Sequence, residues 1–169
     1  RSDLTDCKVL AYGNNSAYIA RMSNASFSAV MNLLRIHSRL AERFGSALGS
    51  IHGLALNETL LLMHLERAPG QRLSRIDLAR RLSVSPSTVT RMAAPLEKLR
   101  LVGREADKRD ARLAYVTLTA AGERLVGDAR NTLEELSAEV FKDRWTEAEI
   151  SSLNKLLSRI TAAQPGDIS

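Results

Sequence analysis

Two helix starts stand eleven residues apart in the middle of this 169-residue chain, and they constrain its folding more than any other feature. Ser74 followed three positions later by Asp77 is a capping-box variant, in which the serine oxygen takes a free first-turn amide. Ser85 followed by Pro86 is a second start: serine caps the open amides, and proline at the first helical position gives up no bonded N–H. The first of these helices is expected to run to Leu82, leaving only Ser83-Val84 before the next cap. Two short helices so joined pack at a steep angle and need a small residue at the crossing, which Ala79 supplies. Leu78, Leu82, Val84, Val89 and Met92 have the spacing to close a miniature apolar core beneath them.

After Leu101-Val102 the chain turns polar and charged from Glu105 to Arg112, and Leu113 to Leu118 then suits a strand. Two short strands around a charged loop make a hairpin. A pair of short helices followed by a hairpin describes a winged helix-turn-helix, with Ser83 in a turn that often holds glycine. On the outward face of its second helix lie Ser87, Thr88, Thr90 and Arg91, with Ser85 at the start. Small hydroxyls let a helix N-terminus approach the floor of the major groove, and Arg91 is long enough for a guanine edge or a phosphate. Any one hydroxyl is equally well explained by capping or solvation; the cluster is more informative than its members. Pro95 removes one backbone hydrogen bond, so a kink or helix end is expected near Ala94, with Leu96 and Leu99 facing the core.

Helices flank this centre. Val30, Leu33, Leu34, Leu40, Phe44, Leu48 and Ile51 recur at helical spacing, which predicts an amphipathic helix from about Ser26 to His52, ended by Gly53. Asn57, with Leu56 and Leu61 as a hydrophobic staple, is expected to open the next helix, to about Arg67, before Ala68-Pro69-Gly70 stops it. Thr119 caps a helix carrying Leu125, Leu133, Leu136 and Val140, and a capping box of Thr146 and Glu149 opens a last one carrying Leu153, Leu156, Leu157 and Ile160. Residues 1–25 show no period, contain the turn cluster Gly13-Asn14-Asn15-Ser16, and are read as an arm or disordered lead; Ser23-Asn24-Ala25 resembles the remnant of a cleaved expression tag. Residues 26–169 then form a single domain: helices over 26–54 and 120–162, and the winged helix-turn-helix lobe over 55–119.

Charge is distributed unevenly. Residues 72–112 hold eleven Lys and Arg against five acids, whereas the rest of the chain holds thirteen against fourteen, so the whole excess of +5 lies in the central segment. That is the footprint of a surface that meets phosphates. The lone Cys7 excludes an internal disulfide framework, and no stretch reaches the ~18 apolar residues of a spanning helix, so no membrane partner and a cytoplasmic location are expected. His37, His52 and His64 show no metal-ligand spacing, and no catalytic triad or phosphate loop is present. Neither an enzyme, a metal nor a cofactor is therefore expected.

The run Asp107-Lys108-Arg109-Asp110-Ala111-Arg112, followed by Val116-Thr117-Leu118-Thr119 and Gly122, resembles the wing and following helix of MarR-family transcriptional regulators, and the likeness extends from about Phe27 to Thr161. The resemblance implies a mainly α, winged helix-turn-helix protein with a two-stranded wing and N- and C-terminal dimerisation helices. It implies a homodimer, in which Leu33, Leu34, Leu40, Leu153, Leu157 and Ile160 would meet the partner, acting usually as a repressor on a pseudo-palindromic operator in double-stranded DNA. Arg109 would enter the minor groove, held extended by Asp107 and Asp110, and Arg112 would contact a phosphate or pair with one of those acids. A small-molecule effector would bind near His37, Met63 and His64. Where the family usually has glycine after the recognition helix this chain has Arg100, which would cost about 1 kcal/mol if that residue is left-handed. The competing reading is a winged-helix module for protein contacts or for coating DNA without sequence preference.

Overall fold

The computed structural model describes residues 10–106 and 114–161. The chain divides into two units, Arg1–Arg43 and Phe44–Ser169. Within the first, the described residues are helical and belong to α1, which spans Leu10–His52. The helix therefore starts well before Ser26, and the arm expected over residues 1–25 lies partly within it. The physical reason is propagation: no proline interrupts Leu10–His52, and once a helix is nucleated each added residue gains a bond at little cost, even across Gly13-Asn14-Asn15-Ser16.

The second unit holds the rest. In it α2 (Leu56–Arg67) leads through a short 3-10 turn (Pro69–Gln71) into β1 (Arg72–Ser74), α3 (Arg75–Arg81) and α4 (Pro86–Lys98). Next come β2 (Val102–Ala106), β3 (Ala114–Leu118), α5 (Ala120–Phe141) and α6 (Glu147–Thr161). Four of the expected caps are in place. The Ser74 hydroxyl accepts from the Asp77 amide at 3.1 Å, that of Ser85 from Thr88 at 3.2 Å, that of Thr119 from Gly122 at 3.1 Å and that of Thr146 from Glu149 at 3.3 Å. Asn57 is not the cap of α2. The helix begins at Leu56 behind Ala55, which has no capping side chain; the Ala55 amide itself donates to the Glu58 carboxylate at 2.8 Å, the reciprocal half of a capping box.

The hairpin is part of a larger sheet. β3 lies between β1 and β2, antiparallel to both, with Leu73 opposite Val116 and Arg104 also opposite Val116. Three strands thus stand where two were expected, and the added one is only three residues long. Leu73, Val102, Val116 and Leu118 turn inward and join Leu61, Leu62 and Leu65 of α2, Leu78 of α3, Val89 and Leu96 of α4 and Val126 of α5 in one apolar core. At roughly 1.5–3 kcal/mol for each large side chain removed from water, this core is the main source of the unit's stability. An ion pair from Arg130 of α5 to Glu66 of α2 ties those two helices together at the core's edge.

Pro95 neither ends nor shortens α4, which continues to Lys98. The proline lies on the exposed side and removes only its own N–H, while its carbonyl still accepts from Leu99 at 3.0 Å. Leu96 is buried as expected, but Leu99 is 63% exposed: it sits at the C-cap, and Leu101 beyond the turn enters the core instead.

Candidate nucleic-acid interface

Recognition of a duplex by a helix-turn-helix requires that the second helix present its N-terminal turns to solvent while its opposite face is anchored. In α4, Val89, Ala93 and Leu96 are buried, so the helix is fixed from behind. The turn before it is equally fixed, because the Val84 amide donates to the Ala79 carbonyl at 2.9 Å and Ser83 adopts a left-handed conformation with φ of 53°. Ala79 of α3, the small residue expected at the crossing, is buried.

Ser85, Ser87 and Arg91 are exposed at the start of α4, and Thr88 and Thr90 are half-buried. Their hydroxyls are joined. Ser85 Oγ lies 2.8 Å from Ser87 Oγ and 2.9 Å from Thr88 Oγ1, and Arg91 donates to Thr88 Oγ1 at 3.3 Å. Thr90 is turned back on its own helix, donating to the Pro86 carbonyl at 3.1 Å and accepting from Arg75 at 3.4 Å. The capping role is seen at Ser85 and Thr90, which serve the backbone, while Ser87 and Arg91 are exposed near the positive end of the helix dipole, a favourable place for an anion. Of the wing residues, Asp107, Arg109, Asp110 and Arg112 lie outside the described residues.

Three further arginines of the basic segment lie around this surface, and their partners are not evident from their spacing. Arg75 follows the Ser74 cap and reaches Thr90 on the next helix. Arg104 on β2 donates to Glu97 on α4 at 2.6 Å. Arg72 on β1 stacks its guanidinium 5.0 Å from the centre of the Tyr115 ring and pairs with Glu105 at 3.1 Å, linking the three strands across their surface. Only the pairing of β1 with β3 reveals that Arg72 faces Tyr115, and only the packing of α3 against α4 that Arg75 meets Thr90.

Elsewhere in this unit a cavity of about 460 Å³ is walled by Leu60, Met63 and His64 of α2, Arg81 at the end of α3 and Leu133 and Ser137 of α5. Its size is that of an ordinary small-molecule pocket. Two of the three expected effector residues, Met63 and His64, line it; His37 is exposed on α1 in the first unit. His52 instead makes a 2.8 Å hydrogen bond to Thr132. No cluster of three metal-ligating residues occurs among the described residues. Nor is any described helix long and apolar enough to cross a membrane. Of the residues expected at a subunit interface, Leu34 is 56% and Ile160 66% exposed, Leu33 is exposed, and Leu40, Leu153 and Leu157 are half-buried.

Two short helices joined by a tight turn and followed by antiparallel strands, with exposed arginines on the outer side, define a winged helix-turn-helix protein. The family model described as MarR family matches residues 52–113. The HTH-type transcriptional repressor Rv2887 of Mycobacterium tuberculosis is 30% identical over 128 residues, which is 76% of this chain and 89% of the relative. Among solved structures, the chain is similar to Sco3205, a MarR-family transcriptional regulator from Streptomyces coelicolor in complex with DNA. The TM-score is 0.72 at 24% identity, over 79% of this chain and 83% of that one. It is also similar to BpsR of Bordetella bronchiseptica, whose DNA binding is regulated by 6-hydroxynicotinic acid, with a TM-score of 0.68 at 22% identity over 78% and 91%. The chain belongs to the MarR family of transcriptional regulators, which are not enzymes.

Proposed function

We propose that this chain is a sequence-specific repressor that binds double-stranded DNA as a homodimer on a pseudo-palindromic operator and leaves it when a small molecule enters the cavity beside α2. The observation that carries the reading is the construction of α4, whose inner face is locked into the core while Ser87 and Arg91 are exposed to solvent at its first two turns. In a two-fold dimer two such helices would lie about one helical turn of DNA apart. The exposed Leu33, Leu34 and Ile160 support a partner surface, since large apolar side chains left in water on terminal helices mark contact sites. Arg109 and Arg112 would contact the minor groove and backbone, as in the family pattern. The binding of DNA by Sco3205 supports the partner, and the control of BpsR by an aromatic acid supports the kind of effector.

The cavity gives release a physical route. Arg81 and Leu82, which line it, sit at the end of α3 immediately before the turn into α4. An occupant that favours one placement of α3 over another shifts the spacing of the reading helices, and only a difference in affinity between the two placements can do so.

The test is a binding titration of the full chain against its own upstream intergenic DNA and a scrambled duplex at two salt concentrations. Specific binding with Kd on the order of 10 nM or tighter, weakened by salt and by Arg109→Ala, is the expected result. Equal affinity for both duplexes would point to a non-specific DNA coater or to a chain already holding its effector, and no binding at either salt would favour the protein-contact module. Sedimentation of the free chain as a monomer at micromolar concentration would remove the dimer.

A further inference from the structure

We propose that Glu97 and Arg104 act together to position the wing strands against the recognition helix, so that helix and wing read a single stretch of duplex. The proposal rests on the DNA-binding reading above. Arg104 Nε donates to Glu97 Oε1 at 2.6 Å, joining the last turn of α4 to the middle of β2. The pair crosses the rim of a small cleft, about 90 Å³, between the helix and the sheet. Thr90 and Ala93 form its helix side, and Ala114, Tyr115 and Val116 its sheet side. Deeper in, Leu96 packs with Val102 and Val116 in the core and fixes the two elements at one level. At the cleft itself close packing is interrupted, and side chains across a void lose the contacts that close packing gives. Glu97 from the helix and Arg104 from the sheet both line it, and their ion pair joins the two sides there.

The placement of charge sharpens the argument. Glu97 is one of five acids among sixteen charged residues in the basic segment 72–112, and its side chain is 25% exposed against 54% for Arg104. By charge alone, an acid beside a phosphate-binding surface weakens binding to every DNA alike. As a structural brace it is also weak, since partly exposed pairs add little to stability. Held at 2.6 Å in a charge-assisted hydrogen bond, however, the two side chains set the direction in which β2 leaves α4, and a shift of the wing relative to the helix would spoil simultaneous contact with both grooves.

Affinity for operator and for scrambled duplex, measured by fluorescence anisotropy on the full chain, separates these roles. The variants are Glu97→Gln and Arg104→Lys, each with its melting temperature recorded. The expected result is a fall of about tenfold in the ratio of specific to non-specific affinity in both variants, a coupling of ordinary size for contacting residues. Affinity of Glu97→Gln for scrambled DNA should hold or rise, and melting temperatures should stay within ~2 °C of the parent. Equal change on both duplexes in Glu97→Gln would show a simple charge effect and overturn the proposal. So would an unchanged ratio in Glu97→Gln with uniformly weaker binding in Arg104→Lys, which would make Arg104 a lone phosphate contact. A large loss of melting temperature in both variants, with operator and scrambled binding lost together, would make the pair a fold determinant and overturn it too. If Glu97→Gln does not fold, Glu97→Asp, which keeps the charge and shortens the reach, takes its place with the same expectations for the ratio. A parent chain without preference between the duplexes would defeat the DNA-binding reading and this inference together, whereas preference in the parent that survives in every variant would defeat this inference alone.

Discussion

Gly122, in the first turn of α5, lies directly against the carbonyl of Leu101, at the point where the chain leaves α4 for the sheet. A methyl group at Gly122 would fall far inside van der Waals contact of that carbonyl oxygen and 2.8 Å from Cδ1 of Leu118. The carbonyl cannot simply move aside, because it accepts from the Thr119 amide at 3.1 Å and from the Thr119 hydroxyl at 3.0 Å, and the same hydroxyl caps α5 through the Gly122 amide. The sequence Thr119-x-x-Gly122 is thus a clamp that holds the start of α5 to the end of the recognition helix.

Gly122→Ala should therefore destabilise the chain by about 3 kcal/mol, the upper part of the usual range for overpacking, out of a total of ~5–15 kcal/mol. Gly127→Ala, five residues further along the same helix with nothing within 4 Å of the added carbon, should instead gain up to about 1 kcal/mol from helix propensity. Urea denaturation of the two variants side by side checks this: midpoints that move in the same direction would contradict the close approach at Leu101.

Two residues other than glycine near the recognition helix hold left-handed backbones, Ser83 with φ of 53° and Arg100 with φ of 59°. Left-handed placement costs an ordinary residue ~1–2 kcal/mol, and glycine loses ~0.5–1 kcal/mol of that advantage through its freer unfolded state. The balance favours glycine by up to about 1.5 kcal/mol. Ser83→Gly and Arg100→Gly should each raise the denaturation midpoint, and Ser83→Val should lower it, since a branched residue tolerates this region least. Circular dichroism melts of the three variants supply the measurement.

The helix caps were legible because their information is local. Ser74 with Asp77, Ser85 with Pro86, Thr119 with Gly122 and Thr146 with Glu149 each use a side chain to satisfy an amide within three residues, and the structure places all four. The buried face of α4 and the apolar core beneath it followed from spacing. What was not legible depended on distant partners. Nothing within Arg72–Ser74 marks it as a strand; it becomes one by pairing with β3, and only then does Arg72 meet Tyr115 and Glu105. The pairing of Glu97 with Arg104 likewise requires knowing that β2 runs back along α4. Leu99 departs from its expected core position because helical spacing no longer holds at the C-cap, where the chain enters the left-handed turn at Arg100.

The start of α6 carries a pH dependence that can be assigned to one group. The Glu149 carboxylate accepts from the Thr146 amide at 2.8 Å and from the Thr146 hydroxyl at 2.9 Å, and the first of these bonds contributes most to holding its pKa below the usual carboxylate range. A carboxyl whose pKa is depressed by folding supports the fold above its unfolded value and loses that support as pH falls through the folded value. The first turn of α6 should therefore loosen on acidification below the ordinary titration range of glutamate. In an NMR titration the amide of Thr146 should report an acid-shifted midpoint, and Glu149→Gln should abolish the titration while keeping an acceptor in place. A midpoint at the ordinary glutamate value would refute the bond.

On the proposed DNA-binding reading, Arg91 and Arg75 should fail in different ways when truncated. Arg91 is exposed on the reading face of α4 and hydrogen-bonded to Thr88, which orients it along the helix toward a base edge. Arg75 opens α3, the helix that crosses the backbone in this fold, and is steadied by Thr90. Arg91→Ala should cost about 1–3 kcal/mol on the operator and much less on scrambled DNA, narrowing the gap between them. Arg75→Ala should weaken both duplexes by a similar factor and reduce the slope of log affinity against log salt by about one, the mark of one lost phosphate contact. Titrations at three salt concentrations separate the two, because loss of a base contact leaves the salt slope unchanged. If both variants lost affinity equally on the two duplexes with the same fall in slope, Arg91 would be a phosphate contact like Arg75, and base reading by α4 would rest on Ser87 and the neighbouring hydroxyls alone.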